Sequence, residues 1–222
     1  MAGNKVIKNI IILSNIPLSD KKGASFSRIV EYAKGITTFK NNRVYIASLN
    51  HNYHEKMESI GTNNQVFLLG QKVEIKSHFI YDKFLNFSSR KKEFLKILEI
   101  TKGLEGKAIF LLYPFFNTWY EESYYINKLR HSNYKIFSER NERALGVYLN
   151  KASHDSIIKK LLSLLLSPIE YLNAIKQDEL VARYDGNIVI STNFEIWIVK
   201  RNRNTIRIPI LGCIDVSKKR QI

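Results

Sequence analysis

The stretch KNIIILSNIPLSDKKGASFSRIVEYAKGI, Lys8 to Ile36, decides the fold of this chain. It begins with four consecutive apolar residues, Ile10 to Leu13, which are typical of a buried strand. A polar loop containing Gly23 follows, and from Ser25 onward the apolar residues recur at helical spacing. A strand, a loop and a helix in this order leave free backbone N–H groups at the carboxyl edge of a sheet, where a ligand can dock.

The same alternation continues along the chain. It predicts strands at 10–13, 43–49, 65–69, 107–113, 134–138, 187–191 and 205–211, and helices at 25–40, 89–103, 118–131, 155–180 and 192–200. Residues 71–86 are predicted to be irregular, and Pro168 is predicted to bend or break the helix that contains it. Strands separated by helices imply right-handed βαβ crossovers. The expected fold is therefore one doubly wound, Rossmann-like α/β domain over residues 1–222. It has a mostly parallel sheet of about seven strands and helices on both faces.

The composition limits the classes of partner and compartment. A net charge of +15 favours phosphate-bearing partners such as nucleic acid, nucleotides or anionic lipid, although it is also compatible with a solvated basic surface. The single cysteine, Cys213, excludes an intramolecular disulfide and fits a reducing, cytoplasmic compartment. No apolar run approaches the roughly 18 residues that a membrane-spanning helix needs.

The first loop supplies candidate binding residues without a recognised phosphate motif. It has neither the G-x-G-x-x-G pattern of dinucleotide sites nor a P-loop, so nicotinamide, flavin and P-loop functions are disfavoured. A glycine at position 23 permits backbone conformations that other residues avoid, Ser25 is predicted at a helix-capping position, and Arg28 is a basic residue one turn into the predicted helix. This start can hold an anionic or hydroxyl-rich ligand, or it can be an ordinary capped helix.

The segment FSERNER, Phe137 to Arg143, follows a predicted strand and is rich in polar groups. Carboxylates at such an edge can act as a general base or accept hydrogen bonds from sugar hydroxyls, and arginine can hold phosphate. Alternatively, these charged residues could simply form ion pairs on the surface.

The motif HNYH, His51 to His54, lacks a third ligand at metal-site spacing, so it predicts a solvated loop and no metal site.

Several segments, in order, resemble the N-terminal half of a bacterial GT-B glycosyltransferase of the large retaining group called family 4. The segments are the opening stretch with the following VYIASL, then IFSERNER, GNIVISTNFEIWI and RIPILGCID. They cover nearly all of the chain. The ERNE motif departs from the family pattern because Arg143 and Ala144 follow it, where the family usually has an aromatic residue and a proline.

The resemblance implies a function and a site. Gly23 and Ala24 match a loop that faces the phosphates and sugar of the donor, and Ser25 and Arg28 follow it in the same stretch. The acceptor side of the cleft is matched by Glu139, Arg140, Asn141 and Glu142. The whole enzyme would transfer a sugar from a nucleotide-diphosphate sugar to a glycan or lipid-linked acceptor in cell-surface polysaccharide synthesis. The resemblance implies no required metal. It also implies no cofactor, because the nucleotide sugar is consumed as a substrate.

The resemblance also implies that the donor-binding C-terminal domain is absent from this chain. The isolated domain is therefore expected to be inactive. In the full-length protein, Gly23→Val is expected to reduce transfer sharply with little change in thermal stability. Two alternatives stay open: a non-catalytic nucleotide- or nucleic-acid-binding α/β module, and a partner subunit that completes its cleft with another chain.

The expected location is the cytoplasm, with peripheral association at the inner face of the membrane. The helix that carries Lys159 and Lys160 is lysine-flanked and apolar, and is expected to pack mainly in the core. Any association with anionic lipid would then be salt-sensitive and would use the basic face of the domain.

Overall fold

The computed structural model describes residues 7–15, 24–39, 41–49, 52–59, 66–71, 82–113, 118–140, 143–146, 148, 157–189 and 192–207. Their strands are β1 (Lys8–Ser14), β2 (Asn42–Ser48), β3 (Asn52–Ser59), β4 (Val66–Gln71), β5 (Lys107–Tyr113), β6 (Lys135–Arg140), β7 (Gly186–Val189) and β8 (Thr205–Arg207). The principal helices are α1 (Ala24–Thr37), α2 (Asp82–Lys102), α3 (Trp119–His131), α4 (Ile157–Glu179) and α5 (Thr192–Val199). A 3₁₀ turn, Leu180–Arg183, follows α4.

The strands form one sheet in the order β3-β4-β2-β1-β5-β6-β7-β8. Neighbouring strands are parallel throughout, except that β3 runs antiparallel to β4. The predicted doubly wound α/β fold with a mostly parallel sheet is therefore confirmed. The chain leaves β1 toward β2 on one side and later returns to β5 on the other, so the winding direction reverses between β1 and β5. In open α/β sheets ligands bind at the carboxyl ends of the strands beside this reversal.

The central strands are covered on both faces, and β1 shows this most directly. Ile11, Ile12 and Leu13 have no exposed surface, although successive side chains of a strand point to opposite faces. Ile11 and Leu13 belong to a core with residues of α2 and α3, and Ile12 belongs to a second core with residues of α1. Burial on both faces explains why β1 has an unbroken apolar sequence.

The prediction of a solvated loop around HNYH was wrong for the part that the structure describes. Residues 52–54 open β3, an edge strand that pairs with β4 and shifts register between Asn52 and Met57. Its sequence, NYHEKMES, has no apolar run and no clear alternation, so its hydrophobic pattern does not reveal a strand.

The helical boundaries also differ from the prediction. Helix α2 begins at Asp82, inside the stretch 71–86 that was predicted to be irregular. Helix α4 continues through the exposed Pro168, so the predicted break does not occur. A proline removes only one hydrogen-bond donor, and the remaining helical hydrogen bonds can sustain the helix. Among the described residues, no helix is long and apolar enough to cross a membrane.

Candidate functional site

The site lies at the carboxyl ends of β1, β5 and β6, beside the reversal of winding. The last residues of β1 and β5, Ser14 and Tyr113, are paired in the sheet. Glu139 is the penultimate residue of β6. All three are buried, and the Glu139 side chain has no exposed surface. A fully buried carboxylate at the ligand-binding edge of an α/β sheet is the feature from which the site is built.

Helix α1 brings two polar side chains to the same place. Arg28 and Tyr32 are four residues apart and therefore lie on the same face of the helix. The Tyr32 hydroxyl donates a hydrogen bond to Glu139 Oε1 at 3.3 Å. Its ring meets the Tyr113 ring edge-on, with 6.4 Å between centroids and 80° between planes. Arg28 hydrogen-bonds to Tyr113. We call Arg28, Tyr32, Tyr113 and Glu139 the switch-point cluster.

The electrostatics of the cluster set the protonation of Tyr32 and Arg28. Burial, and then the charge of Glu139, raise the pKa of Tyr32, so its phenol stays protonated and remains a donor. Burial works against the positive charge of Arg28. The electrostatic effects of Tyr113 and then Glu139 outweigh it, and the pKa of the guanidinium is raised. The cluster therefore combines a permanent cation, a protonated phenol and a buried carboxyl group.

These groups have complementary uses toward a ligand. The partly exposed Arg28 can form charge-assisted hydrogen bonds with phosphate or sugar oxygens. Glu139 can accept a hydrogen bond from a hydroxyl group, and Tyr32 orients it. A hydroxyl-rich ligand with an anionic group matches this combination.

The next residue of β6, Arg140, faces the opposite layer. Its side chain is 3% exposed and forms an ion pair with Glu122 in the first turn of α3. Arg140 Nη1 also donates to the Gln177 carbonyl of α4 at 3.2 Å. Adjacent residues of a strand point to opposite faces, so β6 separates Glu139 from Arg140. Contact of Arg140 with a substrate stays a prediction, and the structure places its guanidinium in a buried ion pair.

The other predicted site residues are only partly described. Ala24 and Ser25 are the first two residues of α1, which places them at the start of the helix that carries Arg28. Gly23, Asn141 and Glu142 lie outside the described residues. Their roles remain predictions.

Two contributors were missed by sequence reasoning. Tyr32 is one helical turn after Arg28, and that spacing was a usable signal. Glu122 is buried with 1% exposure in the first turn of α3, and its sequence surroundings resemble those of an ordinary surface helix start. Tyr113 ends the strand predicted at 107–113, and from the sequence alone its ring could either stack on a ligand or pack in the core. Within the described part of the chain, no group of three His, Cys, Asp or Glu residues could hold a metal ion.

Comparisons with known proteins bear on the fold. No protein-family model matches the sequence. No curated protein matches it either. Among solved structures, the chain is similar to a UDP-glucosyltransferase from Polygonum tinctorium, with a TM-score of 0.51 and 10% identity over 94% of this chain and 53% of that one. It is also similar to a sucrose-phosphate synthase from Thermosynechococcus elongatus, with a TM-score of 0.50 and 10% identity over 92% of this chain and 90% of that one.

These similarities extend the description of the fold. Both neighbours are glycosyltransferases, so the chain has a GT-B-like glycosyltransferase fold. It spans about half the length of the glucosyltransferase chain that it matches. At 10% identity, the similarity concerns the fold alone. Family 4 and a bacterial origin therefore remain implications of the sequence resemblance.

Proposed function

We propose that this chain is the acceptor-side domain of a GT-B glycosyltransferase. The whole protein would transfer a sugar from a nucleotide-diphosphate sugar to a glycan or lipid-linked acceptor, in the synthesis of a cell-surface polysaccharide. The observation that carries the proposal is the switch-point cluster, because a cation, a phenol and a buried carboxylate meet where α/β sheets bind ligands. The glycosyltransferase-like fold supports it.

The proposed roles follow from the chemistry of the residues. Arg28 would hold an oxygen of the donor's diphosphate or sugar, and the backbone at Gly23, Ala24 and Ser25 would approach the phosphates. Glu139 would accept a hydrogen bond from the attacking acceptor hydroxyl. In the transfer, the bond between the anomeric carbon and the phosphate oxygen breaks, a bond to the acceptor oxygen forms, and the nucleoside diphosphate leaves with the proton that the acceptor hydroxyl loses. Asn141 and Glu142 would extend the acceptor side of the cleft.

The proposal requires a second half of the cleft. Donor recognition would come from a C-terminal domain in the parent protein, and the isolated chain would be inactive. The chain's span of about half of the glucosyltransferase structure is consistent with this division. No metal or cofactor is part of the proposal.

The test uses the whole natural protein. Its reading frame is first checked for a second α/β domain, and the protein is then assayed for nucleoside diphosphate release from UDP-, GDP- and dTDP-sugars with bacterial glycolipid extract as acceptor. Arg28→Ala and Glu139→Gln should each lower transfer about 100-fold, the size expected when a charged group at the reacting centre is lost. The exposed Arg203 provides the control, Arg203→Ala, which should leave transfer unchanged. Folded protein that releases no nucleoside diphosphate from any donor would refute the proposal.

Peripheral membrane association is part of the same proposal, and an exposed patch supports it. Trp119 and Tyr120 at the start of α3 and Ile169 and Leu172 on α4 are 39%, 58%, 61% and 53% exposed. The backbone N–H of Trp119 donates to Asn173 Oδ1 at 2.7 Å and so joins the two helices. We call these four residues the α3–α4 patch. Aromatic and aliphatic residues together suit the lipid interface, and the net positive charge suits anionic headgroups.

The expectation of core packing for the lysine-flanked apolar run of α4 falls on side chains outside the described ones, whereas Ile169 and Leu172 in the second half of the helix are exposed. Sedimentation with vesicles containing anionic lipid tests the association at low and high salt. Binding at low salt should weaken at high salt, and Ile169→Ser with Leu172→Ser should weaken it further. The control is Phe39→Ser, which removes an equally exposed apolar residue after the far end of α1. Absence of binding at low salt would exclude this part of the proposal.

The net charge also supports a second candidate function, a nucleic-acid-binding module. Described arginines are dispersed: Arg90 and Arg140 are in buried ion pairs, while Arg143 and Arg201 lie against the Trp197 ring. We therefore expect only weak, non-specific binding of RNA or DNA. Affinity tighter than about 1 µM at physiological salt would favour this second function, because non-specific binding is usually weaker.

A further inference from the structure

Strand β6 ends in two adjacent buried charges that face opposite layers. Glu139 lies on the side of α1, where Tyr32 donates to it, and Arg140 lies on the side of α3, where Glu122 pairs with it. Glu139 has no exposed surface and Arg140 has 3%. The position of one residue therefore depends on how the other is held.

In the described part of the chain, the sheet ladder restrains the backbone at this point from the β7 side. Among the described residues, the ladder between β5 and β6 extends to Leu112 and Ser138. Beyond it, Glu139 and Arg140 pair with Ile188 and Val189 of β7. The end of a strand can open more easily than its middle. Side-chain contacts can therefore add a restraint that fixes the Glu139 carboxylate against Tyr32.

The Arg140 side chain provides that restraint through three other elements. It pairs with Glu122 of α3 and donates to the Gln177 carbonyl of α4 at 3.2 Å. Its guanidinium carbon lies 5.7 Å from the centre of the Tyr184 ring, beyond the 3₁₀ turn. The Tyr184 hydroxyl also donates to Glu122 Oε1. Arg140, Glu122 and Tyr184 thus form a closed triad behind the strand end.

Glu121, which precedes Glu122 in α3, forms a comparable buried ion pair with Arg90 of α2. Glu121 accepts from Arg90 Nε at 2.6 Å and from Arg90 Nη2 at 2.9 Å, and the Tyr125 hydroxyl donates to it at 2.7 Å. Both members are buried, as in the triad. This pair joins α2 to α3, however, whereas the triad reaches the strand that carries Glu139. Buried ion pairs are often no more stabilising than well-packed apolar residues, so stability alone does not explain the triad.

We propose that the triad is a positioning device for the acceptor side of the site, with Arg140 as its central positioning residue. It locks the carboxyl end of β6 and thereby holds the Glu139 carboxylate in the switch-point cluster. This inference rests on the proposed function, because it assigns Glu139 to the acceptor hydroxyl. The planar guanidinium is suited to the task, since it engages several partners in a fixed geometry.

Two double variants of the whole protein test the inference. Arg140→Met with Glu122→Leu removes the triad's ion pair, and Arg90→Met with Glu121→Leu removes the matched pair. Each replaces a buried ion pair with apolar residues, and each leaves one tyrosine hydroxyl without its carboxylate, so their urea midpoints should be similar. The triad variant should lower kcat for sugar transfer at least tenfold while the donor KM changes less than twofold. The matched variant should lower kcat less than twofold.

A conservative substitution separates positioning from folding. Arg140→Lys keeps the charge next to Glu122 and should recover part of the kcat that Arg140→Met loses. If the triad double variant does not fold, Tyr184→Phe weakens the same restraint by removing only one hydroxyl, and it should lower kcat more than Tyr125→Phe does. Equal kcat losses in the triad and matched variants would overturn the inference.

Crystal structures of the variants provide a readout that does not depend on activity. In the triad variant, the Glu139 carboxylate should move out of hydrogen-bonding distance of the Tyr32 hydroxyl, whereas the matched variant should keep the 3.3 Å contact. An unmoved Glu139 in the triad variant would also overturn the inference. Wild-type protein that transfers no sugar would refute the proposed function, and the crystal structures would still decide whether the triad positions Glu139.

Discussion

The two edges of the parallel sheet use their polar residues differently. At the amino edge, side chains hydrogen-bond to the backbone: Asn9 Nδ2 donates to the Glu105 carbonyl at 2.7 Å, and Asp185 Oδ2 accepts from the Ile136 N–H at 2.8 Å. At the carboxyl edge, Tyr32 and Glu139 contact each other through ionisable groups. Polar groups bonded to the backbone serve the fold, whereas clustered ionisable side chains can serve a ligand. Substitutions at the amino edge should therefore affect stability, and those at the carboxyl edge should affect transfer.

The largest effect on stability is expected at Gly106, which precedes β5 at the amino edge. Its φ is 96°, in the left-handed region, and a Cβ there would lie 2.4 Å from the Ile7 carbonyl oxygen. Gly106→Ala should lower the free energy of unfolding by at least about 3 kcal/mol, because backbone strain and a backbone overlap add. Urea denaturation measures the loss.

The matched control for this substitution is Gly35→Ala in α1. A Cβ at Gly35 would meet nothing within 4 Å, and alanine is the better helix former by about 0.5–1 kcal/mol. The control should therefore stabilise the protein. A similar destabilisation by both substitutions would show that the amino edge is not specially constrained.

The central part of the fold was predictable because burial on both faces gives an unbroken apolar sequence. Strands β1 and β5 illustrate this, with KNIIILS and KAIFLLY. The edge strand β3 was not predictable, because it is polar and its pairing with β4 depends on tertiary contacts. Helix α4 shows a second limit of sequence-based prediction. The presence of a proline in a sequence does not reveal whether the surrounding helix can tolerate it.

The candidate site was predictable only in part. Arg28 and Glu139 follow predicted strands, so their positions at the carboxyl edge could be expected. Their neighbours could not, because the contact between Tyr32 and Glu139 joins residues 107 apart and exists only when β6 lies beside β5. The polar run that includes the end of β6 also suggested a single binding surface. Strand alternation instead sends Arg140 to the α3 side, away from Glu139.

A smaller effect is expected at Asp185, which closes the amino edge between β6 and β7. Asp185→Ala removes the hydrogen bond to the Ile136 N–H and the exposed ion pair with Lys135, 3.2 Å long. It should lower the free energy of unfolding by about 1–2 kcal/mol, mostly through the backbone donor left without its partner. The kcat of the whole protein should not change. Lys135→Ala removes only the ion pair and should cost less than about 1 kcal/mol. A large loss of kcat in Asp185→Ala would contradict the expectation that residues at the amino edge affect stability and not transfer.

The smallest expected effect concerns the alkaline stability contributed by Tyr32 at the carboxyl edge. Burial and the charge of Glu139 raise its pKa above the ordinary value near 10. A group whose pKa is raised on folding contributes stability that is fully present below about pH 10 and is lost as the pH rises through the folded pKa. Tyr32→Phe lacks this loss, so its urea midpoint should fall less than that of the wild type between pH 9 and pH 11.

Tyr134, just before β6 at the amino edge, gives the comparison for this pH effect. Burial also raises its pKa, but the positive charge of Lys102 works in the opposite direction. Tyr134→Phe should therefore change the alkaline slope less than Tyr32→Phe does. In both variants, the change in the pH slope of the free energy of unfolding should stay well below the limit of about 1.4 kcal/mol per pH unit for one group, because solvent reaches both phenols. Urea titrations at pH 9, 10 and 11 give the slopes. Equal slopes in the two variants would mean that Glu139 does not restrain the Tyr32 proton, and the carboxyl edge would then lose its electrostatic distinction from the amino edge.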